Sequence, residues 1–169
     1  MATFQEDKYL NIAVLTVSDT RSSANDTSGD LLVKALQEAK HSLAARALVK
    51  DDVYQIRAQV SRWIADTNIQ VILITGGTGF SGRDSTPEAI RVLFDKDIEG
   101  FGELFRQLSY QEIGSSTIQS RALAGLANNT VIFCMPGSNN ACKTAWDKII
   151  VEQLNADHQP CNFVGHLKK

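Results

Sequence analysis

Ile69-Gln70-Val71-Ile72-Leu73-Ile74-Thr75-Gly76-Gly77-Thr78-Gly79 is the stretch on which the fold turns. Its first part is a β-branched and aliphatic run without polar alternation. Such a run fits a strand covered on both faces, as in parallel sheets. Three glycines in four positions then let the backbone turn sharply and approach a ligand with its N–H groups forward. In doubly wound sheets, ligands sit beyond the C-terminal strand ends, where this loop would lie.

Working outward, residues 10–17, 44–49 and 130–135 read as three further buried strands. Helical apolar stripes lie between them: Leu31, Leu32, Ala35, Leu36 and Ala39; Val53, Ile56, Val60, Trp63 and Ile64; Phe101, Leu104, Phe105 and Leu108. The cleanest follows the last strand, at Ala141, Cys142, Ala145, Trp146, Ile149 and Ile150. This alternation predicts a three-layer α/β/α fold around a mainly parallel central sheet. Residues 120–126 read either as helix or as a strand turning at Asn128-Asn129 to pair antiparallel with residues 130–135. The Asn-Asn turn favours the hairpin.

The glycine loop continues as Phe80-Ser81-Gly82-Arg83-Asp84-Ser85-Thr86-Pro87-Glu88-Ala89. Residues 77–82 spell GxGxxG, but a dinucleotide fold opens its helix inside the glycine loop. Here the helix signals come later. Either Thr86 caps a helix with Pro87 at its first position, or Ser85 and Glu88 form a capping box. No Lys-Ser/Thr follows the glycines, so a P-loop is excluded.

Asp84 lies between loop and cap, and Asp51-Asp52 follows the second strand. As isolated acids these are ordinary helix-start or turn residues. Together, strands ending at Val49 and Thr75 would bring Asp51 and Asp84 to one sheet edge, suited to holding Mg²⁺ against a triphosphate. Ser18-Asp19-Thr20-Arg21 leaves the first strand at the same edge with hydroxyls, an acid and a phosphate-shaped guanidinium. Pro136-Gly137-Ser138 leaves the last strand and opens a helix, where Ser138 is either an anion site or a plain N-cap. Residues 99–103, Glu-Gly-Phe-Gly-Glu, read as a flexible hinge before a helix. His41, His158 and His166 lack metal-ligand spacing.

The chain has 169 residues and a formal net charge of −2, which suits one globular domain over residues 1–169 and argues against nucleic-acid binding. No secretory signal or membrane span is expected, and Cys134, Cys142 and Cys161 read as free thiols, so the expected location is cytoplasmic. Residues 1–9 and 155–169 read as terminal arms. Phe163 and Leu167 follow no period, so residues 158–169 are expected to be an exposed apolar arm that needs a partner surface, hence a homo-oligomer.

In order and spacing, Ser18-Asp19, Asp51, the Thr75-to-Asp84 string and Pro136-Gly137-Ser138 resemble the molybdenum cofactor biosynthesis protein B family of molybdopterin adenylyltransferase-like proteins. The resemblance covers residues 11–154. The TGGTG…RD-x-TPEA string and the Glu-Gly-Phe-Gly-Glu stretch carry it. The Ser120-Arg121-Ala122-Leu123-Ala124-Gly125 stretch and the Pro160-Cys161-Asn162-Phe163 tail point to the protein B branch.

The resemblance implies transfer of AMP from Mg-ATP to the terminal phosphate of molybdopterin, with pyrophosphate released, ahead of metal insertion. It implies Asp51 and Asp84 as the essential acids and tentative Mg²⁺ ligands. It places Gly76, Gly77, Thr78 and Gly79 in a phosphate-cradling loop, with Ser18, Asp19, Thr75 and Arg83 around it, and puts Ser109, Pro136, Gly137 and Ser138 on the pterin side. It further implies a trimer or hexamer, other cofactor-pathway proteins as partners, and service to either molybdenum or tungsten. Lys50 and Asn139 stand where the enzymes of the family often have proline. The alternative is a catalytically silent molybdopterin-binding carrier or assembly protein of the same pathway.

Overall fold

The computed structural model describes residues 8–169. Of the N-terminal arm, residues 1–7 lie outside the described residues. Six strands form one sheet in the order β2-β1-β3-β6-β5-β4. They are β1 (Asn11–Val17), β2 (Ser42–Val49), β3 (Val71–Thr75), β4 (Lys96–Asp97), β5 (Leu123–Ala127) and β6 (Thr130–Met135). β2, β1, β3 and β6 run parallel, while β5 is antiparallel to both β6 and β4.

The unbroken apolar runs are explained by helices on both faces. Ile12, Val14, Val71, Leu73, Val131, Phe133 and Met135 point to one cluster, which also holds Leu32, Phe105 and Trp146. Their neighbours Ala13, Leu15, Ile72, Ile74, Ile132 and Cys134 point to the other, with Ile56, Val60, Trp63 and Ile90. On the first face lie α1 (Thr27–Glu38), α4 (Glu99–Ile113) and α5 (Asn139–Ala145), the last continued by a π-type turn, Trp146–Ile150, and a short α6 (Val151–Gln153). On the second lie α2 (Val53–Ala65) and α3 (Thr86–Arg91). Among the described residues, no helix is long and apolar enough to cross a membrane.

The hairpin forms as expected: β5 and β6 pair antiparallel, and Asn128 and Asn129 both take positive φ, 48° and 55°. Two left-handed residues match the twist of the flanking strands, and asparagine tolerates that conformation best after glycine.

Three expectations are corrected. The Glu-Gly-Phe-Gly-Glu stretch is no hinge; it forms the first turn of α4 and buries Phe101 and Gly102. The stripe on α4 is rotated, because Leu104 is 42% exposed and Ser109 is buried in its stead. The tail does not project as an apolar arm. Leu167 is buried, and Phe163 packs edge-on against Phe133 with ring centroids 6.3 Å apart. Lys168 then donates from Nζ to the carbonyls of Ile64 and Asp66, at 2.6 and 2.8 Å. These carbonyls lie at the C-terminal end of α2, where a cation is favoured. The chain itself supplies the surface that the tail needs.

Candidate active site

Strand register builds the site. Thr16 lies opposite Thr75, and Thr75 opposite Met135, so β1, β3 and β6 end level with one another. Ser18 N donates to Val49 O and Gly76 N to Met135 O, each at 3.0 Å, which carries the alignment one residue past the strands. The loops leaving β1, β2, β3 and β6 therefore open at one edge. β1 and β3 flank the point where the connections diverge to opposite sides, the usual position of a ligand crevice in such sheets.

A cleft of about 530 Å³ lies there. Every candidate residue lines it: Ser18, Asp19 and Asp51 from the β1 and β2 ends; Thr75, Gly76, Gly77, Thr78, Gly79, Arg83 and Asp84 from the β3 loop; Ser109 from α4; and Pro136, Gly137 and Ser138 after β6. Asp51 and Gly77 share one edge, as the site reading requires.

Glycine is obligatory at two positions. Gly76 has φ +101°, and a Cβ there would lie 2.1 Å from Val17 O. Gly77 has φ +68°, and a Cβ would meet Thr86 Oγ1 at 2.4 Å and Asp51 Oδ2 at 2.9 Å. The loop is thus wedged between the β1 end and the start of α3. The N–H groups of Gly77, Thr78 and Gly79 have no backbone acceptor among the described residues, and neither do those of Gly137, Ser138 and Asn139. Successive free N–H groups at two turns of one cleft favour anions.

Asp51 is buried, and its Oδ1 accepts both N–H (3.0 Å) and Oγ–H (2.8 Å) of Ser85. Ser85 sits at the N-cap of α3, yet its hydroxyl serves Asp51 and makes no cap bond, while Thr86 and Pro87 form the first turn. Burial pushes the Asp51 carboxyl up from its ordinary value, and the negative charges of Asp84 and Asp19 add to this. Asp84 accepts Ser81 N–H on Oδ2 at 2.8 Å. One oxygen on each acid, Asp51 Oδ2 and Asp84 Oδ1, accepts no hydrogen bond from the described residues. Asp52, by contrast, is the N-cap of α2, so the helix-start reading holds for it and not for Asp51.

Asp19 is gripped by Arg83, Nε to Oδ2 at 2.8 Å and Nη2 to Oδ1 at 3.0 Å. This fork, ahead of other influences, holds the Asp19 carboxyl down at about 2. Arg83 therefore pairs with Asp19 across the cleft and not with its neighbour Asp84. Lys50 contributes by donating to Asp19 O at 2.7 Å. Ser18 Oγ accepts from Arg21 N, and Arg21 reaches from Nη2 to Gly137 O at 2.9 Å, tying the β1 and β6 loops together. Thr75 is turned inward, donating from Oγ1 to Pro136 O at 3.1 Å. Ser138 is the N-cap of α5 through Ala141 N, and Asn139 accepts from Thr27 Oγ1. Beneath it Cys142 is pushed up to about 11 by burial, so it stays a thiol at neutral pH.

Two features escaped the sequence reading. Arg121 clamps the glycine loop from behind: its N–H donates to Thr78 O, Nε to Gly79 O (2.9 Å) and Nη2 to Asp84 O (3.1 Å). Its guanidinium also pairs with Glu88 and lies over the Phe80 ring. Drawing these carbonyls to the rear leaves the loop N–H groups for the cleft. Glu112, one turn beyond Ser109, also lines the cleft with Asn140 and Thr144. The helical spacing from Ser109 to Glu112 was the signal available for it.

The donor set suits a hard cation only in part. Among the described residues, no group of three or more His, Cys, Asp or Glu side chains is placed to hold a metal. Two acids with spare oxygens, beside free N–H groups, fit a cation that completes its shell with phosphate and water.

A sequence-family profile described as "Probable molybdopterin binding domain" matches residues 13–156. The chain is 58% identical over 158 residues to Molybdenum cofactor biosynthesis protein B of Escherichia coli (strain K12), spanning 94% of this chain and 93% of that protein. It is 46% identical over 142 residues to the protein of the same name from Bacillus subtilis (strain 168), spanning 83% and 84%. Its fold matches a crystal structure of Molybdenum cofactor biosynthesis protein B with a TM-score of 0.85 at 44% identity, over 89% of this chain and 94% of that one. The tungsten cofactor synthesizing protein MoaB from Pyrococcus furiosus matches with a TM-score of 0.79 at 36% identity, over 86% and 92%.

Proposed function

Because the chain belongs to the molybdenum cofactor biosynthesis protein B family and carries its molybdopterin-binding domain, we propose that it adenylylates molybdopterin with Mg-ATP ahead of metal insertion. An oxygen of the molybdopterin phosphate bonds to the α-phosphorus of ATP. The bond from that phosphorus to the oxygen bridging towards the β-phosphate breaks, and pyrophosphate leaves. Such a displacement asks the protein for positioning and charge neutralisation more than for covalent chemistry.

The observation that carries this reading is the pair Asp51 and Asp84 beside a loop that lines the same cleft with unpartnered N–H groups. Gly77, Thr78 and Gly79 bind phosphate oxygens through those groups. Asp51 and Asp84, each with a carboxylate oxygen that accepts no hydrogen bond from the described residues, would hold Mg²⁺, which would neutralise charge on the phosphates. The raised pKa of Asp51 is the cost of placing one buried carboxylate near two others, and a bound cation removes that cost. Arg83 and Asp19, paired with each other, line the same cleft beside the phosphate-binding loop. Ser109, Gly137 and Ser138 receive the pterin substrate and its phosphate.

The same reading takes residues 1–169 as one domain that works in the cytoplasm as a homo-oligomer, trimer or hexamer, alongside other proteins of the pathway. With the tail folded back, Val92 and Ile118, exposed and lining one shallow depression, are apolar groups available for association. Adenylylation precedes metal insertion, so one geometry serves molybdenum and tungsten alike. A single-turnover assay with molybdopterin, Mg²⁺ and ATP labelled on the α-phosphate tests the activity. Label in the pterin product is expected. Molybdopterin binding without label transfer would leave the carrier role.

A further inference from the structure

Glu112 is the fourth acid lining the cleft, set apart from Asp19, Asp51 and Asp84 on a different element. It sits in the last turns of α4, on the wall shared with α5, and lines the cleft with Asn140, Ala141 and Thr144. Its Oε1 and Oε2 lie 2.9 and 3.1 Å from Thr144 Oγ1, and Oε2 also accepts from Asn140 Nδ2 at 2.7 Å. One hydroxyl proton serves one oxygen at a time. The carboxylate, with about four acceptor sites, thus receives two neutral donors from the protein. No Lys, Arg or His among the described residues lies within ion-pair distance of it.

A phosphate beside this acid would be repelled, so this part of the cleft suits the uncharged, donor-rich end of a ligand. Its place in the fold agrees. The acids proposed to organise the nucleotide follow β2 and β3, whereas α5 begins after β6. In the order β2-β1-β3-β6, the β6 end stands one strand spacing, about 5 Å, from the β3 end and three, about 14 Å, from the β2 end, so Asp51 is the farther of the two acids. Phe105, Ile113 and Ala141 line the cleft beside Glu112 and offer apolar surface to a flat ring.

We propose that Glu112 selects the heterocycle. Its carboxylate accepts two adjacent N–H donors from the edge of a 2-amino-4-oxopyrimidine ring, the 2-amino group and N3–H, as a planar acid pairs with a guanidinium fork. Thr144 and Asn140 are positioning residues that fix the carboxylate plane. The proposal rests on the reading that the cleft takes molybdopterin, and it names the group that recognises the pterin end.

The test is fluorescence titration with a pterin bearing a phosphate monoester on its 6-side chain, compared with the matching lumazine, in which a carbonyl replaces the 2-amino group. The wild-type chain should prefer the pterin by about 10- to 100-fold, the range of one charge-assisted pairing. Glu112→Gln and Glu112→Ala should bring the ratio close to one, chiefly by weakening pterin binding, with melting temperatures near that of the wild type. If either variant weakens both ligands equally, Glu112 only shapes the wall and the proposal is overturned. If wild type and variants share the same preference, another group reads the ring, and the molybdopterin reading stands without this one. A wild-type chain that binds neither compound nor molybdopterin would overturn both.

Discussion

Replacing Arg121 by Met keeps the length of the side chain but removes the clamp behind the glycine loop. The wild-type guanidinium donates to Gly79 O and Asp84 O, with 24% of the side chain exposed. Bonds from a charged donor contribute about 1.5 kcal/mol each at the low end of their range. The pair with Glu88 involves a partner that is 54% exposed, so solvent screening leaves it a few tenths of a kcal/mol. The expected loss is about 3 kcal/mol. For a chain of this length it lowers the melting temperature by about 6–12 °C. Loss of the clamp should also raise amide exchange at Ser81, Asp84 and Thr86, whose N–H groups are bonded within this segment, more than in the sheet. Arg121→Lys should recover little, because one ammonium cannot span the two carbonyls and Glu88. Calorimetry and hydrogen-exchange mass spectrometry check both effects. A melting temperature within about 1 °C of the wild type, with unchanged exchange in the loop, would refute the clamp.

Asp51→Asn retains an acceptor for Ser85 and removes a buried charge, so it should melt higher than the wild type at neutral pH. The wild-type carboxyl is raised in the folded state, so its penalty is present above the raised value and vanishes as pH falls below the ordinary 3.8. The advantage of the variant should vanish over that range in melts taken across pH. Asp19 behaves in the opposite sense: its fork with Arg83 contributes stability above pH 3.8 that is lost as pH falls to about 2, and Arg83→Gln should return its carboxyl NMR titration towards 3.8. Gly76→Ala should cost about 3 kcal/mol or more in urea denaturation, since φ +101° and a 2.1 Å approach to Val17 O leave no room for Cβ. Deleting residues 163–169 should destabilise the fold itself, because Phe163, Leu167 and Lys168 pack on their own chain.

The legible parts of the fold were those written locally. Runs such as Val71 to Ile74 announce a strand buried on both faces, and Asn128-Asn129 announces its turn. The glycines after Thr75 mark the edge where a ligand binds, and the ends of the other strands bring Asp51, Ser18 and Gly137 to it. What escaped depends on long-range pairing. Nothing near Arg121 in the sequence tells that it reaches back to Gly79 and Asp84. Nothing near Lys168 tells that it reaches the end of α2. The tail has no period because it lies on an irregular surface of its own chain, and a missing period does not by itself separate such packing from exposure. Ser85 had been a helix cap by pattern, but the neighbouring strand end supplies Asp51, a charged acceptor stronger than a cap bond.

The central claim is that Asp51 and Asp84 organise the nucleotide phosphates at one end of the cleft while the pterin is held at the other. Single-turnover AMP transfer from α-labelled Mg-ATP, measured beside molybdopterin binding in Asp51→Asn and Asp84→Asn, tests it most directly. The account predicts transfer in the wild type, a fall of about 10²-fold or more in each variant, and molybdopterin binding nearly intact in both. Equal loss of molybdopterin binding in both variants, with the fold retained, would contradict it.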